Sequence, residues 1–340
     1  MEQIRYLKKE EKQNTRQMYE AIFTEDTEAF VDYYYHWKIR DNEIIVMEDK
    51  RGYEVMIHLN PYSFKVNEAE SVIPYIIAVA TRPDSRRQGK MQRVMQKVLQ
   101  DMQKSHCPFT FLLPANPDYY YGQGFVFSSK NQEKVIKRRE KIVEWNRVLL
   151  KSENTKQMQQ VVEIANTILA QKYDVYVQRD IAYYERLLEE VASEQGNVLI
   201  IEEKGKIIGI LAYGKEEQAE IKEFLLLEQY ETQKREICNK IFGVEGWNEE
   251  EMSMMFRITD LQAFQGLLKG ENEVLTVEVT DSMIETNNGI WELTWNSWGG
   301  NVRPLPQAEV VKQQKIPQMD ISELTKKIME KMSIFIREWV

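Results

Sequence analysis

Apolar and polar positions divide the start of the chain into helical and extended patterns. Helical spacing over residues 15–22 and 26–35 is followed by two short runs typical of strands, Glu43–Glu48 and Tyr53–Leu59. Ser71–Ala80 is then a nearly continuous apolar run, which predicts a central strand that is buried on both faces.

A strong helical pattern follows this strand. Apolar residues recur at helical spacing at Met91, Val94, Met95, Val98, Leu99 and Met102. This stripe predicts a helix that packs on the sheet, and Phe109–Pro114 predicts a further buried strand after it. A strand, a crossover helix and a second strand predict a parallel pair, since such connections are right-handed.

The middle of the chain repeats this order of elements. Helical patterns at Thr155–Tyr173 and Arg179–Gly196 precede three strand-like runs and a helix at Glu231–Phe242. The segment is therefore a candidate internal repeat. Its last junction between strand and helix reads "LLLEQYETQKREI", without the arginine pair and glycine of the first copy, so we expect only the first copy to carry the chemistry.

The last part of the chain has a third pattern. Two-residue alternation in "LTVEVTD" and "GIWELTWNSW" predicts strands, and a helical pattern follows near the end. Because 340 residues exceed the usual range of one core, two or three domains are expected. The three patterns predict three, at residues 1–148, 149–252 and 253–340. The fold class is mixed, α+β or α/β, with flanking helices on mixed sheets.

Composition and charge limit the partners. With 43% hydrophobic and 29% charged residues, the chain has the composition of a globular protein. A net charge of -9 argues against the basic face that nucleic acid requires and favours cationic partners. No apolar run approaches the roughly 20 residues of a membrane span, and the first residues lack the apolar core of a signal peptide. We therefore expect a cytoplasmic protein without a membrane partner.

Cysteines and histidines give no metal-binding pattern. Cys107 and Cys238 lie far apart, which favours reduced, structural thiols. His36, His58 and His106 have no ligand spacing with either cysteine, so we expect no metal site.

The segment "RRQGKM", Arg86 to Met91, lies between the central strand and the helix. A helix N-terminus offers unpaired N–H groups and a positive dipole end, and a glycine there lets an anion approach the backbone. Together with the two arginines, this arrangement suits a pyrophosphate at the carboxyl end of a buried strand. The alternative is a solvated basic turn that only begins a helix.

This junction resembles the signature of the GNAT acetyltransferases, Arg/Gln-x-x-Gly-x-Gly/Ala. The match runs from Arg86 through Gly89 to Met91, where the family usually has a small residue. With "LLPANPDYYYGQGF" and the order of domains, the chain resembles the enhanced-intracellular-survival (Eis) type. That resemblance implies tandem GNAT domains, the first catalytic and the second degenerate, followed by a smaller sterol-carrier-like α+β domain.

The resemblance also implies residues that contact acetyl-CoA as co-substrate. Backbone groups of Val79, Ala80 and Thr81 would pair with the pantetheine amides, and Ala115 and Asn116 would line the thioester end. The phosphate contacts would fall on Arg87, Gln88, Gly89, Lys90, Met91 and Gln92.

Two catalytic residues are implied in the same way. Tyr120 precedes Gly124 and Phe125 at the spacing of the family's general acid. A tyrosine has a pKa close enough to that of a thiol to protonate the leaving thiolate. Tyr119 and Tyr121 compete for this role, and the three rings could also be aromatic packing. The base would be the terminal carboxylate of Val340; the alternative for the apolar ending "FIREWV" is an ordinary last helical turn.

The implied function is acetyl transfer from acetyl-CoA to a primary amine of a cationic small molecule or peptide, such as an aminoglycoside, a polyamine or a lysine. Members of the family form closed rings, so the resemblance implies a homo-oligomer, with a hexamer as one form. A non-catalytic protein that binds acetyl-CoA or a lipid is the alternative, and transfer of a longer acyl group is a second enzymatic one.

Overall fold

The computed structural model describes residues 2–127, 144–214, 219–243, 247–248, 253–306 and 316–339. The chain divides into two compact units. The first comprises Met1–Phe23, Ile39–Asn131 and Ser253–Met332, and the second Thr24–Lys38, Gln132–Met252 and Ser333–Val340. The three-domain boundaries remain a prediction, and the two units are described separately below.

The described residues form both helices and strands. The strands are β1 Gln3–Tyr6, β2 Glu43–Asp49, β3 Gly52–Val66, β4 Ala69–Thr81, β5 Phe109–Leu112, β6 Val126–Phe127, β7 Asn146–Leu149, β8 Val175–Val177, β9 Asn197–Glu203, β10 Lys206–Gly214, β11 Ala219–Leu226, β12 Trp247–Asn248, β13 Met255–Ile258, β14 Glu273–Thr280, β15 Gly289–Trp295, β16 Val302–Pro304, β17 Gln318–Asp320 and β18 Ile334–Phe335. The α-helices are α1 Arg16–Ile22, α2 Glu28–Trp37, α3 Lys90–Lys104, α4 Asp118–Tyr121, α5 Thr155–Lys172, α6 Ile181–Ser193, α7 Lys234–Phe242 and α8 Ile321–Met329.

The main sheet of the first unit has the strand order β1-β2-β3-β4-β5-β13-β6. β1 pairs antiparallel with β2, β2 with β3, and β3 with β4. β4 and β5 are parallel and are connected through α3, which confirms the predicted crossover. β3 is longer than its apolar run suggested, because it continues as one arm of a hairpin with β4 up to Val66.

Helix α3 packs on this sheet through the predicted stripe. Its buried residues are Val94, Met95, Val98, Leu99 and Met102. Met91, in the first turn, is half-buried. The apolar periodicity therefore correctly predicted where the helix lies in the chain and which of its faces packs on the sheet.

A strand from the C-terminal part completes the main sheet. β13 pairs antiparallel with β5 on one side and with β6 on the other. The sequence analysis did not predict this insertion, because strand pairing across more than 120 residues leaves no local pattern.

The first unit also contains a small sheet with the strand order β16-β15-β14-β17. It carries the strands predicted from "LTVEVTD" and "GIWELTWNSW". Helix α8 follows β17 and begins with a capping box: the Asp320 side chain accepts from the Glu323 backbone N–H, and the Glu323 side chain accepts from the Asp320 backbone N–H.

The second unit is built on a sheet of order β12-β11-β10-β9-β7. Residues of α5 and α6 form one apolar cluster with inward residues of β9 and β10, and residues of α7 form another cluster with β9, β10 and β11. The predicted helices and three strands are present. No α-helix in the described residues is long and apolar enough to cross a membrane.

Candidate acyl-transfer site

Strands β4 and β5 separate at their carboxyl ends. Their pairing in the described residues is at Tyr75 and Phe111, whose rings stack with centroids 4.8 Å apart. Beyond this pair β5 ends at Leu112, whereas β4 continues to Thr81. An irregularity in the β3–β4 register accompanies a positive φ of 50° at Ala78. Such a bulge bends the strand, so it accounts for the opening between the two strand ends.

The predicted pantetheine contacts lie at this opening. Val79 and Thr81 are half-buried and Ala80 is buried. Ala115 and Asn116 follow the end of β5 at Leu112, the strand that is parallel to β4. The two sets of sequence-predicted residues therefore lie at or just beyond the carboxyl ends of the two strands, where free backbone groups can pair with an extended ligand.

Asn116 lies at the start of the short helix α4. Its Oδ1 accepts a hydrogen bond from the Asp118 backbone N–H at 2.9 Å. Its amide nitrogen forms no hydrogen bond with the described residues. Asn116 can therefore donate to a carbonyl oxygen at the gap while its oxygen holds the turn.

The loop between β4 and α3 has the backbone geometry of an anion site. Arg87 has a φ of 59° and Gly89, the N-cap of α3, a φ of 71°. A Cβ added at Gly89 would meet nothing within 4 Å, so the glycine is required by its backbone conformation and not by space. Closely spaced left-handed residues at a helix N-terminus turn successive N–H groups towards one point, which suits phosphate oxygens.

The side chains of this loop differ in their availability. Arg87 is exposed, and its guanidinium forms no hydrogen bond or ion pair with the described residues. Arg86 is exposed and donates from Nε to Thr81 O at 3.1 Å. Lys90 instead forms ion pairs with Glu54 and Glu2, and the hydrogen bond to Glu54 raises its pKa. Lys90 can thus offer a phosphate its backbone N–H, while Arg87 can offer its charge.

Three other residues complete the predicted phosphate set. Gln88 donates from Nε2 to Asp84 O at 3.0 Å, and Gln92 is exposed on the first turn of α3. Met91 lies with its Sδ 3.6 Å from Nε2 of Gln123. Met91 therefore connects the phosphate loop with the segment after α4.

Tyr120 is the inward-facing member of the three tyrosines. It is 7% exposed, against 62% for Tyr119 and 49% for Tyr121. Its ring packs edge-on against Phe125 at 5.9 Å. Burial, with a smaller contribution from Tyr119, raises the pKa of Tyr120 to about 12. The phenol therefore keeps its proton at neutral pH, as a proton donor must.

A buried ion pair holds the segment after Tyr120. Arg257 donates from Nε to Gln123 O at 2.7 Å and from Nη2 to Asp281 at 2.7 Å. Burial lowers the pKa of Arg257, which Asp281 partly offsets. Gly124 has a φ of 84°, and a Cβ there would lie 2.7 Å from Cγ2 of Ile321. Residues of the C-terminal part thus fix the turn that follows α4.

This support was not predicted from the sequence. The one local signal for it is an arginine inside the apolar run "MMFRI", because a buried charge needs a buried partner. The identity of that partner, Asp281, could not be read from the pattern.

Val340 lies outside the described residues, so the role of its carboxylate remains a prediction. The residues before it belong to the second unit, where β18 pairs in parallel with β8. Ile334, Phe335 and Ile336 are buried, and Glu338 pairs with Arg179 at 3.3 Å. The described residues of this ending are therefore held by a strand pair and an ion pair and do not form a last helical turn, because α8 already ends at Met329.

The described residues contain no group of three or more His, Cys, Asp or Glu side chains that could hold a metal ion. Cys107 and Cys238 are buried free thiols. Burial raises the pKa of Cys107 to about 12, which keeps it protonated.

Two family models match the chain. Residues 3–128 match the acetyltransferase (GNAT) domain and residues 260–334 the sterol carrier protein domain. No curated protein matches the sequence significantly. The chain therefore carries a GNAT acetyltransferase domain and a sterol-carrier-like domain, and its enzyme class is that of an acetyltransferase.

Solved structures share the fold over nearly the whole chain. A probable N-acyltransferase from Enterococcus faecalis V583 has a TM-score of 0.73 at 18% identity, covering 96% of this chain and 89% of that one. A GCN5-related N-acetyltransferase from Anabaena variabilis has a TM-score of 0.71 at 17% identity, covering 96% and 90%. Eis1 from Mycobacterium abscessus has a TM-score of 0.69 at 8% identity, covering 97% and 89%. At these identities the likeness establishes the mixed α+β fold.

Proposed function

We propose that this acetyltransferase is of the Eis type and moves the acetyl group of acetyl-CoA to a primary amine by direct attack on the thioester. The observation that carries the proposal is the common placement of three features in one unit. These are the gap between the ends of β4 and β5, the left-handed cap at Gly89, and the buried hydroxyl-bearing ring of Tyr120.

Acetyl-CoA fits these features in order along its length. Its pyrophosphate would bind at the N-terminus of α3, between the backbone of Gln88–Gln92 and the side chain of Arg87. Its pantetheine arm would lie along Val79–Thr81 in the gap. The thioester would then reach Ala115, and the Asn116 amide would donate to the carbonyl oxygen that becomes negative in the transition state.

The chemistry needs one acid and one base. The amine nitrogen attacks the carbonyl carbon, the C–S bond breaks, and the Tyr120 hydroxyl gives its proton to the departing thiolate. The proton released by the amine goes to a base, for which we propose the terminal carboxylate of Val340; it would act directly or hold the amine in place. A raised tyrosine pKa favours rapid return of a proton to the phenolate after each turnover.

The proposed acceptor is a primary amine of a cationic molecule, and it attacks in its neutral form. A net charge of -9 favours polycations over acidic partners, and aminoglycosides, polyamines and lysine-containing peptides all present primary amines. We further propose a homo-oligomer in the cytoplasm. The alternative function is non-catalytic binding of acetyl-CoA or a lipid. Such a protein would not need a buried proton donor such as Tyr120.

Calorimetry with acetyl-CoA tests the cofactor assignment. Arg87→Ala should weaken binding by about 1.5–3 kcal/mol, the contribution of one charge-assisted contact. Arg93→Ala is the matched control, because Arg93 is also an exposed arginine but lies in the first turn of α3 and pairs with Glu2 at 2.8 Å. Wild-type protein that does not bind acetyl-CoA, or binding that is equal in the Arg87 variant, would refute the assignment.

A panel of acceptors tests the reaction. Thiol release from acetyl-CoA should rise when polyamines, aminoglycosides or lysine peptides are added. Tight binding of acetyl-CoA without thiol release from any of these amines would instead support the binding-protein alternative.

A further inference from the structure

Glu54 is a buried carboxylate directly beneath the phosphate loop. It lies on β3 and is 2% exposed. Its Oε1 accepts from Ser85 Oγ at 3.0 Å, from Arg82 Nη2 at 3.4 Å and from Lys90 Nζ. Its backbone oxygen also accepts from the Arg82 N–H at 2.8 Å. One residue of the sheet is therefore bonded to three residues of the loop.

These three residues flank the anion-binding backbone. Arg82 and Ser85 precede the left-handed residue Arg87, and Lys90 begins α3 directly after Gly89. A buried carboxylate is costly unless charged or hydrogen-bonded partners compensate it, so Glu54 strongly favours the loop conformation that brings all three donors to it. That conformation includes the two left-handed residues Arg87 and Gly89.

Glu54 also determines which cations of the loop form ion pairs and which stay exposed. It pairs with Lys90 and Arg82, and Arg82 is further held by Asp49 at 3.1 Å and by Asp84 at 2.7 Å. Arg86 and Arg87 remain exposed. Two of the four cations are thus drawn towards the sheet, and the other two are left at the surface where an anion would arrive.

We propose that Glu54 is a positioning residue for the acyl donor: it pre-forms the phosphate loop before acetyl-CoA binds. The proposal rests on the proposed function, because it presumes that the loop holds the pyrophosphate. Ordering a free loop residue costs about 1–2 kcal/mol, so a loop that is already ordered binds its ligand more tightly. Glu54 itself would touch neither the donor nor the amine.

This role predicts a specific kinetic signature. Loss of Glu54 should raise the Kd and KM for acetyl-CoA, while kcat at saturating donor stays close to wild type, because Tyr120 and the thioester site are unchanged. A residue that only stabilises the fold would lower the folded fraction without changing the affinity of the molecules that remain folded.

The experiment compares three variants of the full chain by calorimetry and steady-state kinetics. Glu54→Gln keeps the shape and removes the charge, and we expect a rise of about tenfold in the Kd for acetyl-CoA. Ser85→Ala removes one of the loop's bonds to Glu54 and should raise Kd in the same direction but less. Glu48→Gln is the control, because Glu48 lies in the same sheet and pairs with Arg5 at 2.7 Å, outside the loop.

The outcomes separate this inference from the proposed function. If Glu54→Gln and Ser85→Ala bind acetyl-CoA as tightly as Glu48→Gln while Arg87→Ala binds weakly, the loop is the donor site but Glu54 does not position it. If Arg87→Ala is also unaffected, the loop is not the donor site and the proposed function fails. Should Glu54→Gln not fold, Ser85→Ala decides: an unchanged Kd overturns the inference.

Discussion

Alanine at Gly124 and alanine at Gly89 are expected to damage different properties of the protein. Both glycines have a positive φ, 84° and 71°. A Cβ at Gly89 would meet nothing within 4 Å, whereas a Cβ at Gly124 would lie 2.7 Å from Ile321 Cγ2 and 3.1 Å from Arg257 Nε. Comparing the two variants therefore separates the free-energy cost of the left-handed backbone from the cost of the steric clash.

The magnitudes follow from these surroundings. A left-handed φ costs an L-residue about 1–2 kcal/mol, which is the whole expected loss of unfolding free energy for Gly89→Ala. Gly124→Ala adds overpacking against buried neighbours, typically about 1–3 kcal/mol. Ile321 is β-branched and buried, and Arg257 is fixed by Gln123 and Asp281, so neither can move away easily. We expect Gly124→Ala to destabilise by roughly 2–5 kcal/mol.

Urea unfolding followed by circular dichroism measures the loss for each variant, and calorimetry measures acetyl-CoA binding below the transition. Gly89→Ala should show a modest loss of stability. It should also bind the donor more weakly, because binding needs the left-handed conformation that alanine disfavours. Gly124→Ala should show the larger loss of stability. If Gly124→Ala is no less stable than Gly89→Ala, the close packing of Arg257 and Ile321 around this turn is wrong.

Two further predictions concern pH and the chain terminus. Burial, with a smaller effect from Lys12, lowers the pKa of His58 from 6.5 to about 3. Between these two pH values the unfolded chain binds a proton at His58 and the folded chain does not. The free energy of unfolding should therefore fall by about 1.4 kcal/mol for each unit by which the pH is lowered in this range. Chemical denaturation across this range should show a shallower dependence in His58→Gln, and equal slopes would contradict the assignment. A few residues added after Val340 should abolish most acetyl transfer while acetyl-CoA binding persists; turnover at the native rate would mean that the base lies elsewhere.

The sequence predicted those parts of the site that depend on local pattern. The apolar run of β4 and the stripe of α3 are strong periodic signals, and the glycine at the helix start requires a particular backbone conformation, so the loop could be placed between them. Consecutive residues cannot all face inward, and Tyr120 is the buried one of the three tyrosines; its role as the acid stays a prediction.

The supports of the site could not be predicted in the same way. Glu54 stands in the strand run "YEVMIHL" where alternation would allow a solvated side chain, and its burial depends on donors from residues 82–90. Arg257 and Asp281 reach the turn after Tyr120 only because β13 joins the first sheet. The contacts of Glu54 and of Arg257 both join distant segments of the chain. Such contacts produce no periodic pattern in the sequence of either segment.

The most direct test of the account is the rate of thiol release from acetyl-CoA in the presence of a reactive amine, measured for Tyr120→Phe and Tyr121→Phe. Both substitutions keep the ring and remove one hydroxyl, but Tyr120 is buried and Tyr121 is half exposed at 49%. We expect Tyr120→Phe to lower kcat by roughly 10²–10⁴-fold with acetyl-CoA binding intact, and Tyr121→Phe to change kcat little. A near-native kcat for Tyr120→Phe would contradict its role as the proton donor, and a large loss in Tyr121→Phe would transfer that role to its neighbour.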